Sequence, residues 1–203
     1  MREFAAIVLA GGAGRRLGGP GKPALPVAGR PMLERVLAAV AAAAPRVVVG
    51  ASGPVGWTDL PPDVVTIRED PPGGGPAAAT GAGLSLVGAD TAEVAVLAAD
   101  LPLLTAGAIG VLRRRLAEST VDGALYVDDT GRPQTLCGVW RTAALRTAVR
   151  RMEATRGGLS GASMAALLDG LRVAGVSWTR PSPPPWFDCD TDADLRRAQE
   201  WAQ

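Results

Sequence analysis

The sequence contains no histidine at all, and that absence removes several chemistries at once. Neither a Ser-His-Asp or Cys-His catalytic group nor a His-ligated zinc site can be built without imidazole. Cysteine is nearly absent too: Cys137 and Cys189 stand far apart and form no Cys-x-x-Cys pair. This argues against a disulfide framework or a Cys-rich metal site, and two reduced thiols are expected. Neither sign of charge is in excess, with 21 Lys+Arg against 20 Asp+Glu, which speaks against a general nucleic-acid binder. Long apolar runs are missing as well. Phe4–Ala10 breaks at glycines far short of the roughly 18 residues of a membrane span, and a secretory leader fits poorly, so a cytoplasmic location with no membrane partner is expected.

Aromatic residues make up only 4% of the chain while hydrophobic residues reach 47%, so the core must be built mainly from Ala, Val and Leu through close backbone approach. The length of 203 residues suits a single domain. Strand patterns are predicted at 4–10, 46–50, 64–68, 93–98, 124–127 and 173–178, several of them apolar on both alternating faces as a buried parallel strand requires. Helical patterns are predicted at 31–40, 77–86, 106–118, 142–153, 162–171 and 192–202. Their alternation predicts an α/β fold, a three-layer αβα sandwich around a mostly parallel sheet. The stretch 125–140, two strand patterns about Asp128-Asp129-Thr130-Gly131, predicts a hairpin added to that sheet. The proline-rich 180–185 reads as a stiff surface connection.

The most informative segment follows the first strand: Leu9-Ala10-Gly11-Gly12-Ala13-Gly14-Arg15-Arg16-Leu17-Gly18-Gly19-Pro20-Gly21-Lys22. Ligands of open α/β sheets bind outside the carboxyl ends of strands, where glycines bring backbone N–H groups close to an anion. Arg15, Arg16 and Lys22 add positive charge, and a phosphate is the natural guest. The spacing matches neither common phosphate loop. A dinucleotide fingerprint from Gly12 would need glycine where Leu17 stands, and the P-loop pattern fails at Arg16 and Pro23.

A second candidate is Asp100, at the mouth of the apolar strand Val94-Ala95-Val96-Leu97. A carboxylate there is desolvated unless compensated; Mg²⁺ with phosphate oxygens is one partner, and a turn or helix cap before Pro102 is the structural alternative. Asp188 and Asp190 alternate about Cys189 and share one face of extended backbone. They suit a metal or a polar acceptor, while Asp190 or Thr191 also suits the N-cap of the last helix with Asp194 in its first turn.

The pattern Leu-Ala-Gly-Gly-x-x-x-Arg-x-Gly-x-x-Lys, here Leu9 to Lys22, resembles the signature of nucleotidyltransferases that join an NTP to a phosphorylated acceptor and release pyrophosphate. Its Leu-Gly-Gly version is most similar to the molybdenum cofactor guanylyltransferase family. The resemblance implies a Rossmann-like nucleotidyltransferase fold and a nucleotide loop of Leu9, Ala10, Gly11, Gly12 and Gly14, with Arg16 and Lys22 opposing the triphosphate. Arg15 has the weaker claim. Three later segments resemble the family in order and spacing. Glu69-Asp70 with Gly73–Pro76 implies that Asp70, Gly75 and Pro76 enclose the nucleoside. Ala98-Ala99-Asp100-Leu101-Pro102 implies Asp100 as the Mg²⁺ ligand, and 187–195 resembles the closing segment that carries Asp188 and Asp190.

On this reading Arg16, Lys22 and Asp100 are the catalytic set, residues 1–104 mainly bind nucleotide and 105–203 mainly bind acceptor. Asp188 and Asp190 stay open between metal and acceptor, and Gln134, on a strand resembling the acceptor side, is a further candidate. The implied partners are GTP and a phosphorylated pterin, with other proteins of cofactor assembly beyond them; no nucleic acid is expected. A cytidylyltransferase for the same cofactor stays open, because Gly75-Pro76-Ala77-Ala78-Ala79 lacks the leucine and glycine that often follow Gly-Pro in guanylyltransferases, and an enzyme of sugar phosphates or phospholactate and a non-catalytic nucleotide-binding module stay open beside it.

Overall fold

The computed structural model describes residues 4–11, 19–50 and 60–202. The chain runs β1 (Phe4–Leu9), a 3₁₀ segment (Gly19–Ala24), β2 (Pro26–Val27), β3 (Arg30–Pro31), α1 (Met32–Ala39), β4 (Arg46–Val49) and β5 (Val64–Ile67). It continues with α2 (Gly75–Ser85), β6 (Glu93–Ala98), α3 (Ala106–Ala117), β7 (Gly123–Val127), β8 (Pro133–Arg141), α4 (Thr142–Arg156), α5 (Met164–Leu168), β9 (Val173–Ser177) and α6 (Asp192–Trp201). Seven strands form one sheet in the order β5-β4-β1-β6-β8-β7-β9. Within that sheet only β8 runs against its neighbours; β5, β4, β1 and β6 are mutually parallel, and β7 pairs in parallel with β9. The α/β sandwich is therefore as the residue pattern predicts.

Every residue of β1 is buried, and its side chains divide between two cores. Ala6 and Val8 join Leu33, Val36 and Leu37 of α1 and Leu112 of α3 on one face. Ala5, Ile7 and Leu9 join Ala77 and Leu84 of α2, Leu145 of α4 and Leu167 of α5 on the other. Small residues let the layers approach. A Cβ on Gly83 of α2 would stand 2.5 Å from Ile7 Cγ2, so the helix lies almost on the sheet backbone. Trp140, fully buried on β8, uses the same device, its ring filling the space above Gly123 across the β7–β8 pair.

The hairpin sits deeper than an added edge. Strand β8 lies between β6 and β7, pairing Leu97 with Cys137 and Gly123 with Trp140. Between β7 and β8, Asp128 Oδ1 accepts the backbone N–H groups of Thr130 and Arg132, and Gly131 takes a positive φ of 83°. The helix of 162–171 shortens to α5, because Ser163 caps its start through Ala166 N–H and the chain turns at Gly170. The β2–β3 ribbon escapes the alternation pattern. Its turn residues Ala28 and Gly29 both have positive φ, the geometry of a tight two-residue hairpin. No helix among the described residues is long and apolar enough to cross a membrane.

Candidate active site

The carboxyl ends of β1 and β6 and the start of β8 meet at one edge of the sheet. Because β8 is antiparallel, its first residues 133–137 emerge beside the end of β6, and Asp100 stands between them and the β1 exit. Backbone bonds fix that junction: Ala10 N–H donates to Val49 O at 2.7 Å, and Ala99 N–H to Leu9 O at 3.0 Å. Arg35 Nε donates to Pro102 O at 2.8 Å and braces the Asp100–Pro102 turn. Cys189 N–H donates to Asp100 O at 3.3 Å, which draws the C-terminal segment onto the same point.

Lys22, delivered by the 3₁₀ segment, is the centre of this arrangement. Its ammonium lies 2.5 Å from Asp100 Oδ2 and 2.5 Å from Asp190 Oδ1, with the lysine and Asp100 side chains 12% and 21% exposed and Asp190 57% exposed. Burial alone would lower the Lys22 pKa, but hydrogen bonds and charge from Asp100 and Asp190 outweigh it and hold the group above its ordinary value. Asp188 sits beside this cluster with its pKa raised, first by burial and then by the charges of Asp190 and Asp100. Negative charge thus accumulates where Lys22 stands.

Capping does not use these carboxylates. Thr191 is the N-cap of α6, in a capping box with Asp194, and α3 is capped by Thr105. Asp190 and Asp100 are left to the lysine.

A cavity of about 940 Å³ opens beside the cluster, lined by its Asp100 and by Asp188. It is lined by Leu9, Gly11, Gly75 and Pro76 from the β1–α2 side and by Gln134 and Asp188 from the β8 side, with Asp100, after the intervening β6, between them. Ala10 is buried. Asp70 is exposed and does not line the cavity; the inward carboxylate of its turn is Glu69, 8% exposed, whose Oε1 accepts Gly73 N–H at 3.1 Å. Gln134 Nε2 donates to Asp128 Oδ2 at 3.2 Å. Gly12, Gly14, Arg15 and Arg16 lie outside the described residues.

Arg132 and Leu136, in the segment 132–136 that resembles the acceptor-side strand, also line the cavity, whereas residue patterns alone do not single out Arg68 or Trp186, which line it too. Arg132 enters through the hairpin turn, and its place becomes visible only once β8 is known to run antiparallel beside β6. Trp186 lies next to the proline-rich connection, where the one available signal is an aromatic residue in a chain with very few.

A mostly parallel sheet with Gly11 after β1, a carboxylate after β6 and a lysine bridging to the C-terminal segment fits the nucleotidyltransferase class. The MobA-like NTP transferase domain matches residues 6–171, and the chain belongs to that family. It is similar to the molybdenum cofactor guanylyltransferase of Rhodobacter capsulatus, 32% identical over 98% of this chain and 96% of that protein. The protein of the same name from Acidiphilium cryptum strain JF-5 is 31% identical over 96% and 93%. Among solved structures, molybdopterin-guanine dinucleotide biosynthesis protein A of Archaeoglobus fulgidus shares the fold with a TM-score of 0.68 at 20% identity, covering 97% of each chain. So does 2-C-methyl-D-erythritol 4-phosphate cytidylyltransferase of Thermus thermophilus, with a TM-score of 0.72 at 23% identity and 98% of each chain.

Proposed function

We propose that this enzyme transfers GMP from GTP to molybdopterin or the molybdenum cofactor and releases pyrophosphate. The observation that carries this is the Lys22 bridge from Asp190 to Asp100, a carboxylate that lines the cavity, in a chain whose relatives are named for that reaction. The nucleotide belongs to the wall of Leu9, Gly11, Gly75 and Pro76 within residues 1–104. The acceptor belongs to the wall of β8 and Asp188 within 105–203.

The donor set suits a magnesium ion. Asp100 and Asp190 meet at the Lys22 ammonium with Asp188 beside them, and the Asp188 pKa is raised first by burial and then by the charges of Asp190 and Asp100. Among the described residues no three acidic or cysteine side chains are grouped closely enough to hold an ion alone, so Asp100, with Asp188 or Asp190, would share it with phosphate oxygens and water. Bound there, magnesium would supply charge neutralisation for the triphosphate.

The chain's own groups do the rest. The Gly11 and Gly75 backbone admits the nucleotide closely, and Lys22 supplies a point charge beside Asp100. Arg132 brings positive charge to the acceptor wall. No general base is required, because a phosphate monoester reaches the site already anionic near neutral pH. Catalysis then rests on holding the acceptor phosphate in line with the α-phosphorus and on preorganised charge.

The test is pyrophosphate release from GTP with molybdopterin, with and without a chelator. Release that stops on chelation supports the reading, whereas no release with any pterin acceptor moves the chain to the nucleotide-binding module.

A further inference from the structure

The acceptor wall contains an aromatic surface that neither charge handling nor the glycine turn explains. Trp186 is half-buried, lines the cavity and stands two residues before Asp188. Its indole rests on Tyr126, with ring centroids 5.1 Å apart at 33°. Tyr126 is itself fixed, fully buried, with its hydroxyl donating to Ala108 O at 2.8 Å and the Trp178 ring edge-on at 5.6 Å. Pro183, Pro184 and Pro185 stiffen the backbone that leads into Trp186.

We infer that Trp186 is a stacking platform for the flat heteroaromatic ring of the acceptor, a deepening that rests on the proposed pterin phosphate substrate. A side chain meant only to seal the core would have no reason to keep one part in the cavity, and here the covered part is held by Tyr126. Such backing preorganises the indole, so little rotamer freedom is lost when a ring stacks on it. Trp186 lines the same cavity as Asp188 and Asp100, so a ring stacked on it keeps its attached phosphate in the cavity where the nucleotide must be met. Aromatic stacking tolerates substituents at the ring edge, which suits a large acceptor whose ring carries further groups.

The experiment uses the full-length protein labelled with fluorotryptophan, with neopterin monophosphate as probe and inorganic phosphate as control. The Trp186 resonance, identified by its loss in Trp186→Phe, is expected to shift with the pterin phosphate and not with inorganic phosphate. Trp186→Leu is expected to weaken binding of the probe about tenfold or more while GTP affinity changes less than about twofold, and Trp186→Phe is expected to retain most of it. A Trp186 signal indifferent to the probe, or a folded Trp186→Leu protein that binds it as wild type does, overturns the platform. A general fall in stability and in affinity for both ligands means that Trp186 only packs, and also overturns it. The resonance shift in unmodified sequence decides the matter if Trp186→Leu does not fold. A shift without any pyrophosphate release from GTP and molybdopterin refutes the proposed reaction and keeps the platform; release without the shift does the reverse.

Discussion

Lys22 ties Asp100 to Asp190, two carboxylates separated by nearly half of the chain, through contacts of 2.5 Å to each. With the Cys189 N–H bond to Asp100 O, the bridge joins the strand ends to the C-terminal segment. Lys22→Met is expected to lower kcat about 10²–10³-fold, the usual loss when a preorganised charge is removed. Asp100→Asn should fall more than tenfold, about 1.4 kcal/mol or more of transition-state stabilisation. Steady-state pyrophosphate release measures both; an Asp100→Asn enzyme within tenfold of wild type, still dependent on magnesium, removes Asp100 from the metal.

The pKa shifts give a pH signature. Asp188, raised above its ordinary 3.8, keeps a proton in the folded protein that the unfolded chain has lost, so its contribution to stability declines as pH rises from 3.8 through the raised value. Asp188→Asn removes that decline, and its thermal midpoint should gain on wild type over the same window. Lys22, raised above 10.5, acts on the alkaline side: its stabilisation is complete below 10.5 and is lost as pH passes the folded value. Thermal melts across pH, with Lys22→Met as the reference, check the second limb.

Glu69 anchors the turn that faces Gly11, through its bond to Gly73 N–H. Its truncation to Ala removes that bond from an exposed turn, a loss of about 0.5–1.5 kcal/mol, and should raise the KM for nucleotide more than that for the acceptor. Glu69→Gln, which keeps an acceptor oxygen, should stay near wild type. Equal effects on both substrates would show that the turn serves neither wall in particular.

Both cysteines are buried, and burial pushes each thiol up to about 12; the charge of Asp100 adds to this at Cys189. The native protein should therefore resist a thiol reagent at about pH 8 and react fully when unfolded. Rapid labelling of Cys189 in the native state would contradict the packing of the segment that carries Asp188 and Asp190, and rapid labelling of Cys137 the packing of β8.

A methyl group on Gly123 would stand 2.0 Å from the buried Trp140 ring. Gly123→Ala should destabilise the protein by about 1–3 kcal/mol, read as a lower denaturation midpoint at unchanged slope. An unchanged midpoint would mean that β7 and β8 are not packed through that ring.

Much of this is legible in the residues themselves. The strands of Val, Ala and Leu, apolar on both faces, announce a covered parallel sheet, and the glycines after Leu9 and the aspartate after Ala98 mark its ligand edge. What stays hidden depends on long-range pairing. Nothing local to Pro133–Arg141 says that it inserts between β6 and β7, so the acceptor wall, with Arg132 and Trp186, could not be assembled from spacing. The choice between Asp70 and Glu69 likewise turns on how one loop twists, which neighbouring residue types leave undetermined. Capping is the reverse case: Thr191 and Asp194 satisfy α6 between them, which frees Asp190 for Lys22.

The proposed transfer is most directly tested by incubating the protein with molybdopterin and equal amounts of GTP, CTP, ATP and UTP in magnesium, then identifying the dinucleotide by mass. The expected product is the guanine dinucleotide, with one pyrophosphate released per GMP transferred. Exclusive formation of the cytosine dinucleotide, or no dinucleotide at all, would contradict it.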